Sequence, residues 1–192
     1  MEMTNAHLIL FMGMENNLIR DEEIKRLISY IKGLGLKVSF SSLCNTSSAA
    51  DWAIDNSQIT VYKVQNTTKI STILSLIHEM GHALHNIHEK DRKIDKKIEK
   101  ALDHLNSAEE LEMDTQKKQR KIILNDEIAG TYYWDSIYKE TNMKFPMWRL
   151  ESSKEFDTWQ YQVFYETGEY PTYKERKIKE KEVRTKHRNQ YE

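Results

Sequence analysis

His78-Glu79-Met80-Gly81-His82 is the stretch of this chain whose residue types and spacing point most directly to chemistry. Residues four apart stack on one face of an α-helix, so His78 and His82 present two imidazoles to a single divalent ion. Two imidazoles beside a carboxylate are a donor set suited to zinc, and Glu79 stands where it takes a proton from the water that such an ion activates. A five-residue string recurs by chance, so its neighbours must position it. Ile70, Ile73, Leu74 and Ile77, followed by Gly81 and Leu84, recur at helical spacing and predict an amphipathic helix over roughly Lys69 to Glu89. Thr67, Thr68 and Ser71 offer hydroxyls to cap its start. A surface helix that happened to carry histidines would require neither the glutamate between them nor the small Gly81.

A catalytic zinc takes three protein ligands and leaves a fourth position open, so a third donor must come from later in the chain. Glu127 is one candidate. It follows His82 by 45 positions, in Asn125-Asp126-Glu127-Ile128-Ala129-Gly130, where small Ala129 and Gly130 let two helices pack closely enough for a short carboxylate to reach a metal. His88 is the other, because His78, His82 and His88 fit H-E-x-x-H-x-x-G-x-x-H. In that pattern the glycine ends the helix in a left-handed turn, and here its place is taken by His85, which adopts that conformation only at a cost. A Met-turn would have to come from Met143 or Met147 beside Phe145-Pro146. If the helix simply continues, His88 points away from the other two. His104, followed by Leu105 rather than glycine, does not complete a third arrangement, that of the SprT-like proteases. His85 lies on the face of His78 and His82 but about 10 Å along the axis from His78, and reads as a solvated helix histidine. Tyr132 and Tyr133 are phenols of the kind that stabilise an oxyanion, although aromatics at helical spacing are more often core.

The segments HEMGHALH (His78 to His85) and DEIAGTYYW (Asp126 to Trp134) resemble the gluzincin branch of the zincin (HExxH) metallopeptidases. Within that branch the likeness is greatest to the small ImmA/IrrE-type and phage-encoded members. It covers roughly half the chain, and its specific part is HEMGH. The resemblance implies that His78, His82 and Glu127 are zinc ligands, that Glu79 is the general base, and that the reaction is peptide-bond hydrolysis. The preceding strand, Asp55 to Tyr62, corresponds to the family's edge strand, against which an extended substrate pairs. The chain departs from the larger gluzincins four residues after the ligand glutamate, where they carry an aspartate and it carries Thr131; Asp135 lies one turn further on. No helix-turn-helix region accompanies the domain, unlike in several relatives.

The remaining elements have to hold these residues. Asp21 is placed to cap a helix from about Glu22 to Lys32, with Ile24, Leu27, Ile28 and Ile31 on one face and Gly33 and Gly35 ending it. Leu36 to Ser41 alternates as a strand, and Asp51 to Asp55 and Gln58 to Val64 read as two strands joined at Asn56-Ser57. From His88 to Lys121 the chain is strongly charged, with a narrow stripe of Ile94, Ile98, Ala101, Leu102 and Leu105. Ser107 with Glu110 reads as a capping box for a helix running to about Glu140, and Ser152 with Glu155 as a further cap. The fold class expected is α+β: a mainly helical, zincin-like domain with a small antiparallel sheet packed over the motif helix. Its limits are residues 1–171, followed by a charged tail, 172–192, that is either a frayed helix or disordered.

Composition narrows the setting. At 192 residues, 31% charged and 39% apolar, the chain suits one domain with a sizeable core. A net charge of −1 creates no global attraction to nucleic acid or anionic membrane. One cysteine, Cys44, excludes an intrachain disulfide framework and a cysteine-rich zinc ribbon, and fits a reducing compartment. No run reaches the ~18 apolar residues of a membrane span. Leu8 to Met12 is too short for a secretory leader, so the expected location is cytoplasmic. The expected partner is a protein or peptide substrate in extended form. Acids interrupt the lysines of the tail throughout, which argues against nucleic acid. Two other functions fit the same residues: a non-peptide amide hydrolase on this scaffold, and a non-catalytic zinc-binding protein that docks a partner.

Overall fold

The computed structural model describes residues 21–41, 50–53, 57–62, 68–88, 93–106 and 112–192. Their elements, in chain order, are α1 (Glu22–Gly33), β1 (Lys37–Ser41), β2 (Ala50–Ala53), β3 (Gln58–Tyr62), α2 (Lys69–His88), α3 (Lys93–Asn106), α4 (Met113–Thr131), α5 (Trp134–Glu140), α6 (Met147–Thr167) and α7 (Tyr173–Tyr191). The described residues form two compact units. One takes in those up to Ala83 together with Tyr133–Lys144; the other takes in Leu84–Tyr132 and Phe145–Glu192. The α+β class expected from sequence is present, with helix predominating.

In the first unit, α1 starts where Asp21 predicts. The Asp21 carboxylate accepts from the backbone N–H groups of Glu23 at 3.0 Å and Ile24 at 3.3 Å, satisfying donors that a helix start leaves open. Ile24, Leu27 and Ile31 are buried along one face, and Gly35 (φ 79°) takes the left-handed conformation that turns the chain toward β1. The sheet has the order β1-β3-β2. β2 pairs antiparallel with β3, from Ala50 opposite Val61 to Ala53 opposite Gln58, as the turn signal at Asn56-Ser57 predicts. β1 pairs parallel with β3, from Lys37 beside Gln58 to Ser41 beside Tyr62. The expectation of a wholly antiparallel sheet is therefore corrected. The hairpin partner occupies one flank of β3, and β1 takes the other flank in the same direction as β3. It follows that β3 is the central strand and not the edge assigned to it from sequence. Ile59 and Val61 are buried, while Gln58 Nε2 donates to Ser39 Oγ at 2.8 Å on the polar face.

α5 completes this unit. Arg26 of α1 donates from Nε to the Thr141 carbonyl (2.8 Å) and from Nη2 to that of Asn142 (3.1 Å), supplying donors just past the C-terminal end of α5. Tyr30 adds a bond to Glu140 at 2.7 Å. Burial, together with that carboxylate, pushes the Tyr30 phenol up to about 12. At the other end of α1, Lys69 bridges Asp21 (2.8 Å) and Glu23 (2.7 Å), fixing the first turn of α2 beside the first turn of α1.

In the second unit α3 packs on α4, α4 on α6 and α6 on α7. A single helix reaching Glu140 was expected here, but the chain instead breaks after Thr131. Tyr132 N–H turns back to the Ala129 carbonyl, Thr131 Oγ1 takes the Ile128 carbonyl, and a new helix begins at Trp134. Local side-chain competition of this kind weakens a helix that already contains Gly130. The capping box expected at Ser107 and Glu110 lies outside the described residues. The cap expected at Ser152 is not formed: α6 starts earlier, after Pro146, and Ser152 is buried inside it with its hydroxyl on the Arg149 carbonyl. Gly168 (φ 86°) ends α6. Residues 173–191, read from sequence as frayed or disordered, form α7. A Thr172–Glu175 capping box starts it, and Val183, Lys186 and His187 hold it to the second unit, the last two through Glu155. Among the described residues no helix is long and apolar enough to cross a membrane.

Candidate metal centre

The motif helix α2 begins at Thr68, whose hydroxyl accepts from Ser71 N–H at 3.2 Å, one of the caps expected. Its apolar stripe buries Ile73, Leu76, Ile77, Met80 and Ala83 completely. Burying that stripe orients the turn carrying His78 and His82. Their Nε2 atoms stand 3.2 Å apart, with ring centroids at 4.8 Å and planes at 69°. Two nitrogens bound at 2.0–2.1 Å to one tetrahedral zinc would be separated by about 3.3 Å. Lone pairs converging at this distance repel unless a proton or a cation lies between them. Glu79 is buried, and its Oε1 comes to 4.0 Å from His78 Nε2. The structure thus brings together His78, Glu79 and His82 as the spacing predicts.

Trp134, the first residue of α5, stands edge-on to the His78 ring (centroids 5.6 Å, planes at 74°) and is 1% exposed. It closes one side of the imidazole pair with apolar surface. The sequence reading included Trp134 in DEIAGTYYW without giving it a role.

Glu127 lies in α4, half-buried. Two tyrosines of the same unit surround it. Burial, and then the Glu127 carboxylate, hold the Tyr161 phenol far above its ordinary range, and the same two causes raise Tyr170. Tyr170 in turn stacks on Phe164 at 4.4 Å, with planes 4° apart. Neither tyrosine was singled out from sequence. They come from α6 and the turn after it, and no motif links them to Glu127.

His85 is not the solvated histidine expected. Its Nδ1 lies 3.0 Å from Asp126 Oδ1, and the two side chains are 12% and 15% exposed. The helix runs straight through His85 and ends at an exposed His88, so the left-handed turn that would return His88 to a metal is absent. Tyr132 is exposed, and Tyr133 is half-buried at the helix break. Thr131 bonds locally to the Ile128 carbonyl. Asp135 lies in the first turn of α5.

No family model, no curated protein and no solved structure matches this chain.

Proposed function

We propose that the chain is a zinc-dependent metallopeptidase of zincin type, with His78, His82 and Glu127 as ligands and Glu79 as general base. The observation that carries this reading is the convergence of the two Nε2 atoms at 3.2 Å with the Glu79 carboxylate alongside. Glu127 as third ligand rests on the sequence, where an acid followed by small Ala129 and Gly130 lies 45 positions after His82. Two imidazoles and one carboxylate are a set that zinc accepts while keeping one position open. The helix passing uninterrupted through His85 favours Glu127 over His88.

Zinc bound there supplies a Lewis acid for a water molecule and for the scissile carbonyl. Glu79 removes a proton from the attacking water and returns it to the departing amine, so one carboxylate serves as base and then as acid. Its buried position keeps competing solvent from that proton. Since β3 is flanked on both sides, an extended substrate would lie along an outer strand of the sheet, β1 or β2. Cys44, the only cysteine, supports a cytoplasmic setting.

The test is Glu79→Gln against wild type on a mixture of unstructured peptides, with zinc measured by elemental analysis. The expected result is one zinc in both proteins and cleavage reduced by about 10²–10⁴-fold in the variant. Zinc retained by both with no turnover by the wild type would replace the peptidase with a metal-holding docking module. Absence of zinc from the wild type purified without chelators would remove the metal reading altogether.

A further inference from the structure

We propose that the α7 face beside Trp148 binds single-stranded nucleic acid. Lys177, Lys181, Arg184 and Arg188 recur at steps of four, three and four residues, so the helix gathers them on one side as a track about 16 Å long. They line a groove of about 350 Å³ together with Trp148 at the start of α6. All four cations are exposed. Glu180 is the acid within the groove, pairing with Lys177 at 3.2 Å and Arg184 at 2.7 Å. Arg188 pairs with Glu192 at 2.6 Å, and Lys181 has no carboxylate partner among the described residues. Along the groove the balance is four cations to one acid. Reading the tail as a linear string, in which acids alternate with lysines, hides this segregation.

Two aromatic rings accompany the track. Trp148 is half-buried in the groove wall, and the Arg149 guanidinium lies 4.9 Å from its ring. Tyr173, 70% exposed, stands one turn before Lys177, whose ammonium is 5.6 Å from its ring. A cationic track with flat aromatic faces is the arrangement that holds a phosphate backbone while bases stack. An acidic peptide would use the cations but leave the rings idle, and a single nucleotide would not need a track of this length. None of the four track cations is among the groups that anchor α7, which is held through Val183 and through the bonds from Lys186 and His187 to Glu155.

The experiment is fluorescence anisotropy of the full chain with a labelled twelve-residue oligothymidylate, at several salt concentrations. Micromolar binding is expected. Its logarithm should fall against log salt with a slope of about −2 to −3, as for three or four neutralised phosphates. Lys181→Glu with Arg184→Glu should abolish it. Trp148→Leu should weaken it about 5- to 100-fold, with Trp148→Phe retaining most of the affinity. Tyr173→Ala reads the stacking contribution at a site that packing does not depend on, should Trp148→Leu unfold. Circular dichroism confirms the fold of each variant. Absence of binding, or binding indifferent to the charge reversals, overturns the proposal. So does polyglutamate binding as tightly as the oligonucleotide with no loss on Trp148→Leu or Tyr173→Ala, a result that would assign the face to an acidic protein.

Discussion

Trp134 makes the imidazole pair dependent on the core as well as on its own helix. Its ring is fully buried against His78, and its Nε1 has no hydrogen-bond partner among the described residues. That N–H is buried without compensation, so Trp134→Phe loses volume but sheds the desolvation cost of the donor. Trp134→Ala should cost about 3–5 kcal/mol by urea denaturation, and Trp134→Phe much less. Under the proposed ligation, His82→Ala should remove stoichiometric zinc and, with both proteins measured in chelator so that the metal contributes nothing, should cost less stability than Trp134→Ala. The two effects together separate a packing residue from a ligand. Tyr161→Phe keeps the ring and deletes the hydroxyl beside Glu127. Under the ligation proposed above, it should weaken zinc about tenfold in a chelator competition, as loss of a group supporting a ligand does. His78, Glu79 and His82 were readable because spacing four on a helix is a local property of sequence. Tyr161, Tyr170 and Asp126 were not, because their roles arise from contacts between helices far apart in the chain.

The pinning of α2 to α1 has a pH signature. Burial works against the charges of Asp21 and Glu23, but bonds from Lys69 and from backbone N–H groups overcome it and hold both carboxyls below their ordinary values of 3.8 and 4.5. Groups depressed in this way contribute stability fully above those values and lose it as pH falls through the depressed ones. Lys69, raised above 10.5 by the same two acids, contributes fully below that value and loses it as pH rises beyond. A plateau between roughly pH 5 and 10 is expected. Lys69→Met should lower it by about 1 kcal/mol or less, since the ammonium is half exposed, and should flatten the acid limb of a thermal melt. Gly168→Ala acts at the other end of the chain. With φ at 86° and a new Cβ pressed against the Arg120 guanidinium, it should cost about 1–2 kcal/mol from backbone strain, and more if the buried Arg120 cannot move. Elements with strong local signals, such as the helix that Asp21 caps and the antiparallel pairing of β2 with β3, stood where sequence put them. The break after Thr131 did not, because helical periodicity continues across it and only competing hydrogen bonds end the helix; α6 starts at Pro146, where the pattern breaks, and not at the Ser152–Glu155 signal.

At the level of the molecule, the α+β class follows from patterning, but strand direction does not. Alternation in Leu36 to Ser41 marks a strand without stating which neighbour it will choose or in which direction, and β1 lies parallel to β3 on the flank that β2 leaves open. The order of α7 was equally invisible in its composition. It comes from Val183 and from Glu155 receiving Lys186 and His187. Metal linkage belongs to this scale too. Zinc at a hundred times its dissociation constant should stabilise the folded protein by about 2.7 kcal/mol, so a chelator should lower the melting temperature of the wild type and leave His82→Ala unmoved.

The double flanking of β3 carries a consequence for how the sheet opens. Ile59 and Val61 are shielded on both sides, so their amide protons exchange with deuterated solvent only after one of the outer strands has peeled away. The slowest-exchanging amides of the sheet should therefore lie in its middle strand, and β1 and β2 should label first.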